Sequence, residues 1–237
     1  MGLAKPSLII KMYALTIAGG RGERLKPLTD TLPKSMVPIN GKPLLSHQVE
    51  WMRMNGITDV IFLCGYLSDS IRTYFGDGSE HGVRAHYSIE DKPLGRGGAV
   101  RKGLDLVPKN ETNILVVNGD IITDQPVNQL ISLHQAIDVT ATITIVPHPS
   151  QYGTVDIDHN NLVTGFNEKA DLPLWINAGI YIFSRSILDL LPEQGDHEDT
   201  TFPILASAGK LAGLKSTAFW SSIESPKDLR EVSERLS

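Results

Sequence analysis

The chain has 237 residues, long enough for one large α/β domain with a full core and no covalent staples. Hydrophobic residues make up 41%, charged residues 21%, and the net charge is -5, so a broad nucleic-acid footprint is excluded and any bound anion must meet a local cluster of cations. No apolar run nears the ~18 residues of a membrane span, and the single Cys64 cannot form an internal disulfide, so the expected setting is a reducing cytoplasm with no membrane partner.

In chain order, the residues before Met12 read as an N-terminal extension, 1–11. Their apolar stretch is too short for a secretory signal, and Pro6 stands where a myristoylation signal needs Ser or Thr. Residues 13–18 form a short apolar strand that breaks into glycines. Residues 43–56 form a helix with Leu45, Val49 and Met52 on one face and Gly56 at its stop. Residues 59–65, "DVIFLCG", are a buried strand in which Cys64 is a structural thiol. A short helix over 68–76 has Ser68 as its cap. Residues 83–89 alternate as a strand. Residues 96–107 form a helix with Val100, Leu104 and Val107 on one face, and 113–120 form an apolar strand ending at Asn118, Gly119 and Asp120.

The second half reads differently. Residues 139–147, 152–158, 162–166 and 175–183 are strand-like with little helix between them, and 158–161 is a turn. The end, 225–236, is a capped helix. "DHEDT", 196–200, reads as a solvated loop before a helix, because no zinc-type spacing supports a metal cluster there. The histidines are scattered and carry no assigned chemistry. Strands alternating with helices predict an α/β fold: a Rossmann-like, mixed but mostly parallel sheet flanked by helices, with a smaller β-rich, lid-like part of the same domain. Ligands of such sheets bind beyond the carboxyl ends of the strands. The glycine loop after the first strand and Asp120 both fall there.

"AGGRGERLKPLT", starting at Ala18, is not a dinucleotide fingerprint, because Leu25 stands where the third glycine belongs. It is not a P-loop either, because no Gly-Lys-Ser/Thr follows. Glycines after a strand let backbone N–H groups approach an anion or a flat base. Arg24 adds a planar fork suited to phosphate oxygens, and Lys34 adds a mobile point charge. Out of context the same residues describe a tight turn with solvated cations.

Together with "PKSMVPI", this run closely resembles the signature of the sugar-1-phosphate nucleotidylyltransferases. "YSIEDKPLGRGGAV" resembles the family's base-and-ribose loop and "VVNGD" its metal-binding strand end. "YGTVDID", "FNEK" and "INAGIYIF" resemble its sugar-binding half. The subgroup most resembled is the short mannose- or heptose-1-phosphate guanylyltransferases. The resemblance implies the nucleotide-diphospho-sugar transferase fold in one domain over 12–237, with a nucleotide-binding half (12–125) and a sugar-phosphate-binding half (126–237). It implies a nucleoside triphosphate, GTP first, and a sugar 1-phosphate as substrates, Mg²⁺ as cofactor, and is compatible with a homo-oligomer. Arg24 and Lys34 would be catalytic. Ala18, Gly19, Gly20, Gly22, Glu90, Pro93, Leu94 and Gly95 would bind the nucleotide. Asp120 would bind the metal. Gly153, Glu168, Lys169 and Asn177 would bind the sugar phosphate.

Two departures stand out. Arg96 occupies a position usually held by threonine, which changes the hydrogen bonding expected of the loop and offers an added phosphate contact. Ser222 stands where a second metal-binding aspartate is expected, and Glu224 is a substitute carboxylate two residues on. A lost carboxylate motivates a competing reading, a nucleotide-sugar-binding regulatory protein. Transfer from UTP or dTTP to a sugar 1-phosphate, or from CTP to phosphocholine, stays open beside GTP. Glu90 itself has a bland reading, an exposed loop charge.

Overall fold

The structure, a computed structural model, describes residues 12–150, 152–168 and 170–237. The expected extension, 1–11, and Lys169 lie outside the described residues. The strands are β1 (Tyr13–Ile17), β2 (Pro38–Ile39), β3 (Lys42–Pro43), β4 (Asp59–Cys64), β5 (Arg84–Ile89), β6 (Asn113–Asn118), β7 (Ile121–Thr123), β8 (Ala141–Pro149), β9 (Thr154–Ile157), β10 (Val163–Asn167), β11 (Asp171–Ser184), β12 (Leu211–Lys215) and β13 (Trp220–Ser222). The α-helices are α1 (Leu44–Met54), α2 (Ser68–Phe75), α3 (Gly95–Gly103), α4 (Val127–Ala136), α5 (Thr201–Ser207) and α6 (Pro226–Arg235).

Seven strands make one sheet in the order β12-β8-β11-β6-β1-β4-β5. β1 pairs in parallel with β4 and β6, β5 runs parallel to β4, and β12 runs parallel to β8. β11 runs antiparallel to both its neighbours, which makes the sheet mixed but mostly parallel, as expected. Strand alternation divides the core. Ala14, Val60, Phe62, Leu115 and Val117 pack on one face with Leu45, Val49 and Met52 of α1 and Ile71 and Phe75 of α2. Leu15, Ile61, Leu63, Ile114 and Val116 pack on the other with Val100 of α3 and Phe202 and Leu205 of α5. Each aliphatic side chain fully buried this way contributes roughly 1.5–3 kcal/mol, and burial on both faces is why these strands read as continuous apolar runs. Cys64 is buried as expected, and burial pushes its thiol up to about 12.

The parallel register brings the strand ends to one edge. Ile17 stands beside Leu63 on one side and Asn118 on the other, and Cys64 stands beside Ile89. The glycine loop, Gly65, Glu90 and Asp120 all leave the sheet from that edge.

Among the described residues β8 to β11 follow one another with no α-helix between them, as expected. Two expectations change, and one helix is unannounced: α4, which precedes β8. Its inward face is Val127, Leu130 and His134, and the buried histidine, bonded to Thr142 Oγ1 and Ser184 Oγ at 2.9 Å each, hides the apolar period. The cap of α2 is Leu67 in a left-handed conformation (φ 51°), and Ser68 is already helical. "DHEDT" is the expected loop before α5, but only its end at Asp199 and Thr200 is exposed, and His197 is fully buried. The closing helix α6 has the expected cap, a reciprocal box between Ser225 and Asp228. β9 and β10 form a separate two-stranded sheet joined through the 158–161 turn, the β-rich part. No described helix is long and apolar enough to cross a membrane.

Candidate active site

The strand-end edge opens into a cavity of about 570 Å³. Ala18, Gly19, Gly20, Gly22, Arg24, Lys34, Glu90, Pro93, Gly95 and Asp120 all line it. Leu94 contributes its backbone N–H, which donates to Glu90 Oε2 at 3.0 Å.

A small apolar cluster explains how the charges converge. Leu25, Ile122 and Ile223 are buried together with Val37, Ile39, Leu44 and Val232. Leu25 closes a 3₁₀ turn, Glu23–Leu25, and so leaves its neighbour Arg24 outward, 74% exposed. Ile223 follows β13, whose Ser222 pairs with Ile121 of β7, and its N–H donates to the Asp120 carbonyl at 2.9 Å. That places Glu224 beside Asp120. Gly22 must be glycine: its φ is 65°, and a Cβ there would lie 2.7 Å from the Lys34 Cβ. Lys34 opens another 3₁₀ turn, Lys34–Met36, seated by buried Ser35 and Met36. Its Nζ lies 2.6 Å from Asp120 Oδ2 and 3.0 Å from Glu224 Oε2, and Arg24 also pairs with Glu224 Oε2. Lys34 is the least exposed of the four at 14%, against 21% for Asp120 and 35% for Glu224.

Several members of this site carry no signal of their own in the sequence. Gln48, buried on α1, donates to the carbonyls of Asn118 and Ile121 at 2.8 and 3.0 Å, fixing the turn that carries Asp120. Gly65 lies under Glu90: a Cβ there would sit 2.5 Å from Glu90 Oε1, so glycine makes the space that the carboxylate fills. Asp196 lines the cavity and binds Arg96 twice, accepting from its backbone N–H and from Nη2 at 2.7 Å each. Arg96 Nη1 lies 3.1 Å from Glu198 Oε1. Arg96 therefore faces two carboxylates rather than standing free for a phosphate. It also holds the Asp196 carboxyl below its usual range, while burial raises that of Glu198.

Gly153, Glu168 and Asn177, expected at the sugar, are not among the residues that line the cavity. Gly153 and Glu168 face each other across β9 and β10, a Cβ on Gly153 coming 3.0 Å from Glu168 Oε2. On β11, Asn177 Nδ2 donates to Tyr181 Oη at 2.8 Å, and its Oδ1 accepts from Gly179 N at 3.1 Å.

Among the described residues no group of three or more His, Cys, Asp or Glu could hold a metal by itself. Asp120 and Glu224 nevertheless converge on a single ammonium. Two carboxylates completed by phosphate oxygens and water are a fitting donor set for Mg²⁺, which seldom takes an all-protein cage. Ser222 Oγ donates to Glu224 Oε1 at 3.3 Å, so it steadies the neighbouring carboxylate.

The family model described as Nucleotidyl transferase matches residues 13–237. The chain is 36% identical over 225 residues to the mannose-1-phosphate guanyltransferase of Debaryomyces hansenii, and 35% identical over 224 residues to the mannose-1-phosphate guanyltransferase beta-B of Xenopus laevis. Each alignment covers 92% of this chain but only 62% of the relative. The crystal structure of HddC from Yersinia pseudotuberculosis superimposes with a TM-score of 0.77 at 27% identity, covering 95% of this chain and 100% of that one. The same protein complexed with GMP-PN gives a TM-score of 0.74.

Proposed function

Because the chain belongs to the nucleotidyl transferase family, we propose that it joins GTP to a sugar 1-phosphate of the mannose or heptose type, releasing pyrophosphate. The observation that carries this reading is the convergence of Arg24, Lys34, Asp120 and the Glu90 carboxylate on one cavity. The guanyltransferase relatives and the GMP-PN complex of HddC support the choice of nucleotide and sugar class.

The chemistry follows from charge. A phosphate oxygen of the sugar 1-phosphate attacks the α-phosphorus in line. A new P–O bond forms, the bond to the bridging oxygen breaks, and pyrophosphate leaves with the electron pair. The nucleophile is already anionic, so no side chain need remove a proton. The task is to bring two polyanions together, which makes positioning and charge neutralisation the catalytic terms. Gly19, Gly20 and Gly22 would lie against the nucleotide. Arg24 would hold the triphosphate, and Lys34 would bridge the reacting phosphates. Glu90 accepts one bond from Leu94 N and retains acceptor capacity. Guanine offers it two adjacent donors, N1–H and the 2-amino group, whereas uracil and thymine offer one donor flanked by acceptors. Pro93 and Gly95 would shape the base site. Asp120 and Glu224 would hold Mg²⁺, which when bound neutralises phosphate charge. Gly153, Glu168, Lys169 and Asn177 would receive the sugar phosphate once the hairpin of β9 and β10 approaches the cavity.

Pyrophosphate release measured across a panel of nucleoside triphosphates and sugar 1-phosphates, with Mg²⁺ present, tests this reading. Turnover with GTP and a mannose- or heptose-type phosphate is expected. Binding without turnover across the whole panel would instead support a nucleotide-sugar-binding regulatory protein.

A further inference from the structure

Arg24 and Lys34 are both engaged by the chain's own acids. Glu224 Oε2 pairs with Arg24 and lies 3.0 Å from Lys34 Nζ, while Asp120 Oδ2 takes Lys34 from the other side at 2.6 Å. Two cations and two carboxylates leave this corner of the cavity neutral. A neutral corner is a poor receptor for a bare triphosphate, whose oxygens need the same N–H groups that Glu224 now occupies. Arg24 is mostly exposed and Glu224 one-third exposed, so both can move. Asp120 is held more tightly, through the Gln48 bonds to the carbonyls of Asn118 and Ile121 and the Ile223 bond to its own carbonyl.

We propose that Glu224 is an internal counter-ion that occupies Arg24 and Lys34 in the empty site and is displaced from them by the incoming triphosphate. The inference rests on the preceding reading only for the identity of the anion. Displacement leaves the Glu224 and Asp120 carboxylates close together without their cations. A divalent cation arriving with the nucleotide restores the balance. Anion and metal then enter as one coupled event, and the coupling is reciprocal: whatever factor the metal adds to nucleotide affinity, the nucleotide adds to metal affinity. Glu224 thus disfavours metal-free nucleotide and favours the metal complex. Ser222, donating to Glu224 Oε1, steadies the carboxylate without adding charge.

The test is equilibrium titration of GTP, and separately of inorganic tripolyphosphate, into wild type and Glu224→Gln. It is run first in chelator and then in Mg²⁺, with sugar phosphate omitted so that nothing turns over. Glu224→Ala and a thermal melt of each unliganded protein accompany it to show that the variants are folded. In chelator both variants should bind both anions about tenfold more tightly than wild type, the gain shrinking as salt screens the exposed charges. Mg²⁺ should then tighten GTP binding to wild type about tenfold more than it tightens binding to Glu224→Gln. Equal or weaker anion binding by folded variants in chelator overturns the inference. Wild type that binds tripolyphosphate but not GTP would sink the reading that the chain uses GTP, while the tripolyphosphate comparison still decides the role of Glu224. Wild type that binds neither anion under any condition overturns both.

Discussion

Arg24 and Lys34 sit on short turns rather than on an apolar face, and their neighbours Leu25 and Ser35 carry the burial. Their side chains therefore face the cavity rather than the core, where Glu224 and Asp120 hold them in the empty site. Removing one preorganised cation from a site of this kind costs roughly 3–4 kcal/mol in transition-state stabilisation. Arg24→Ala and Lys34→Ala should each lower kcat/KM by about a hundred-fold or more. The melting temperature should hold for Arg24→Ala and fall slightly for Lys34→Ala, which leaves Asp120 without its partner. Unchanged kinetics would remove that residue from the mechanism. Glu90 allows a second residue-level test. A charge-assisted bond to a buried base is worth roughly 1.5–3 kcal/mol, so Glu90→Gln should weaken use of GTP and narrow its margin over UTP. Gly65→Ala places a methyl 2.5 Å from Glu90 Oε1 and should imitate that loss by turning the carboxylate away. The double variant should lose little more than either single one, because both act on the same group. Additive losses would mean that Gly65 matters for another reason.

At the scale of elements, the α3 loop shows why glycines recur in "LGRGG". Gly97 N donates to the Gly195 carbonyl at 2.9 Å, and Gly195 N donates to the Leu94 carbonyl at 2.7 Å. The start of α3 is thus braided onto the loop that carries Asp196 and Glu198. A Cβ on Gly98 would meet the Glu193 carbonyl oxygen at 2.5 Å, and backbone cannot yield as a flexible side chain can. Gly98→Ala should cost roughly 1–3 kcal/mol by overpacking, read as a lower urea midpoint with unchanged slope. Wild-type stability in this variant would mean the loop is free to shift. Arg96 then follows from geometry, since its side chain spans the same junction to Asp196 and Glu198.

For the molecule as a whole, acid stability turns on His197. Its ring packs edge-on against Tyr181, Phe183 and Phe202, and neither ring nitrogen has a hydrogen-bond partner. Glu198 Oε2 is 3.4 Å away but out of hydrogen-bonding line. Burial, with Arg96 nearby, depresses the imidazole from 6.5 to about 4. The unfolded chain then binds a proton that the folded one refuses, so stability falls as pH drops from about 6.5 to about 4, by an amount on the order of 3 kcal/mol. Glu198 works in the opposite sense: its raised carboxyl favours the fold at low pH and loses that contribution as pH rises through its folded value. His197→Phe keeps the aromatic packing and removes only the histidine contribution. Stability measured between pH 4 and 7 should be flatter in this variant than in wild type, and an unaltered slope would show that His197 takes up its proton when folded.

The chain by itself determined the strand-and-helix order of the first half, because strands buried on both faces must be apolar throughout and amphipathic helices must show their period. It also determined the loop cations, since glycine followed by Arg24 and Lys34 is a local pattern, and the Ser225 cap, which is local as well. It hid α4, because His134 occupies a core position that an apolar residue would have announced. It misread "DHEDT", because charged letters describe solvation only until a partner such as Arg96 is brought from a hundred residues away. It named Glu224 as a substitute carboxylate but could not place it. Only the packing of Leu25, Ile122 and Ile223 into one cluster set Glu224 against Arg24, Lys34 and Asp120. Residues far apart in sequence meet through long-range burial, and burial is settled by the whole fold rather than by any one segment.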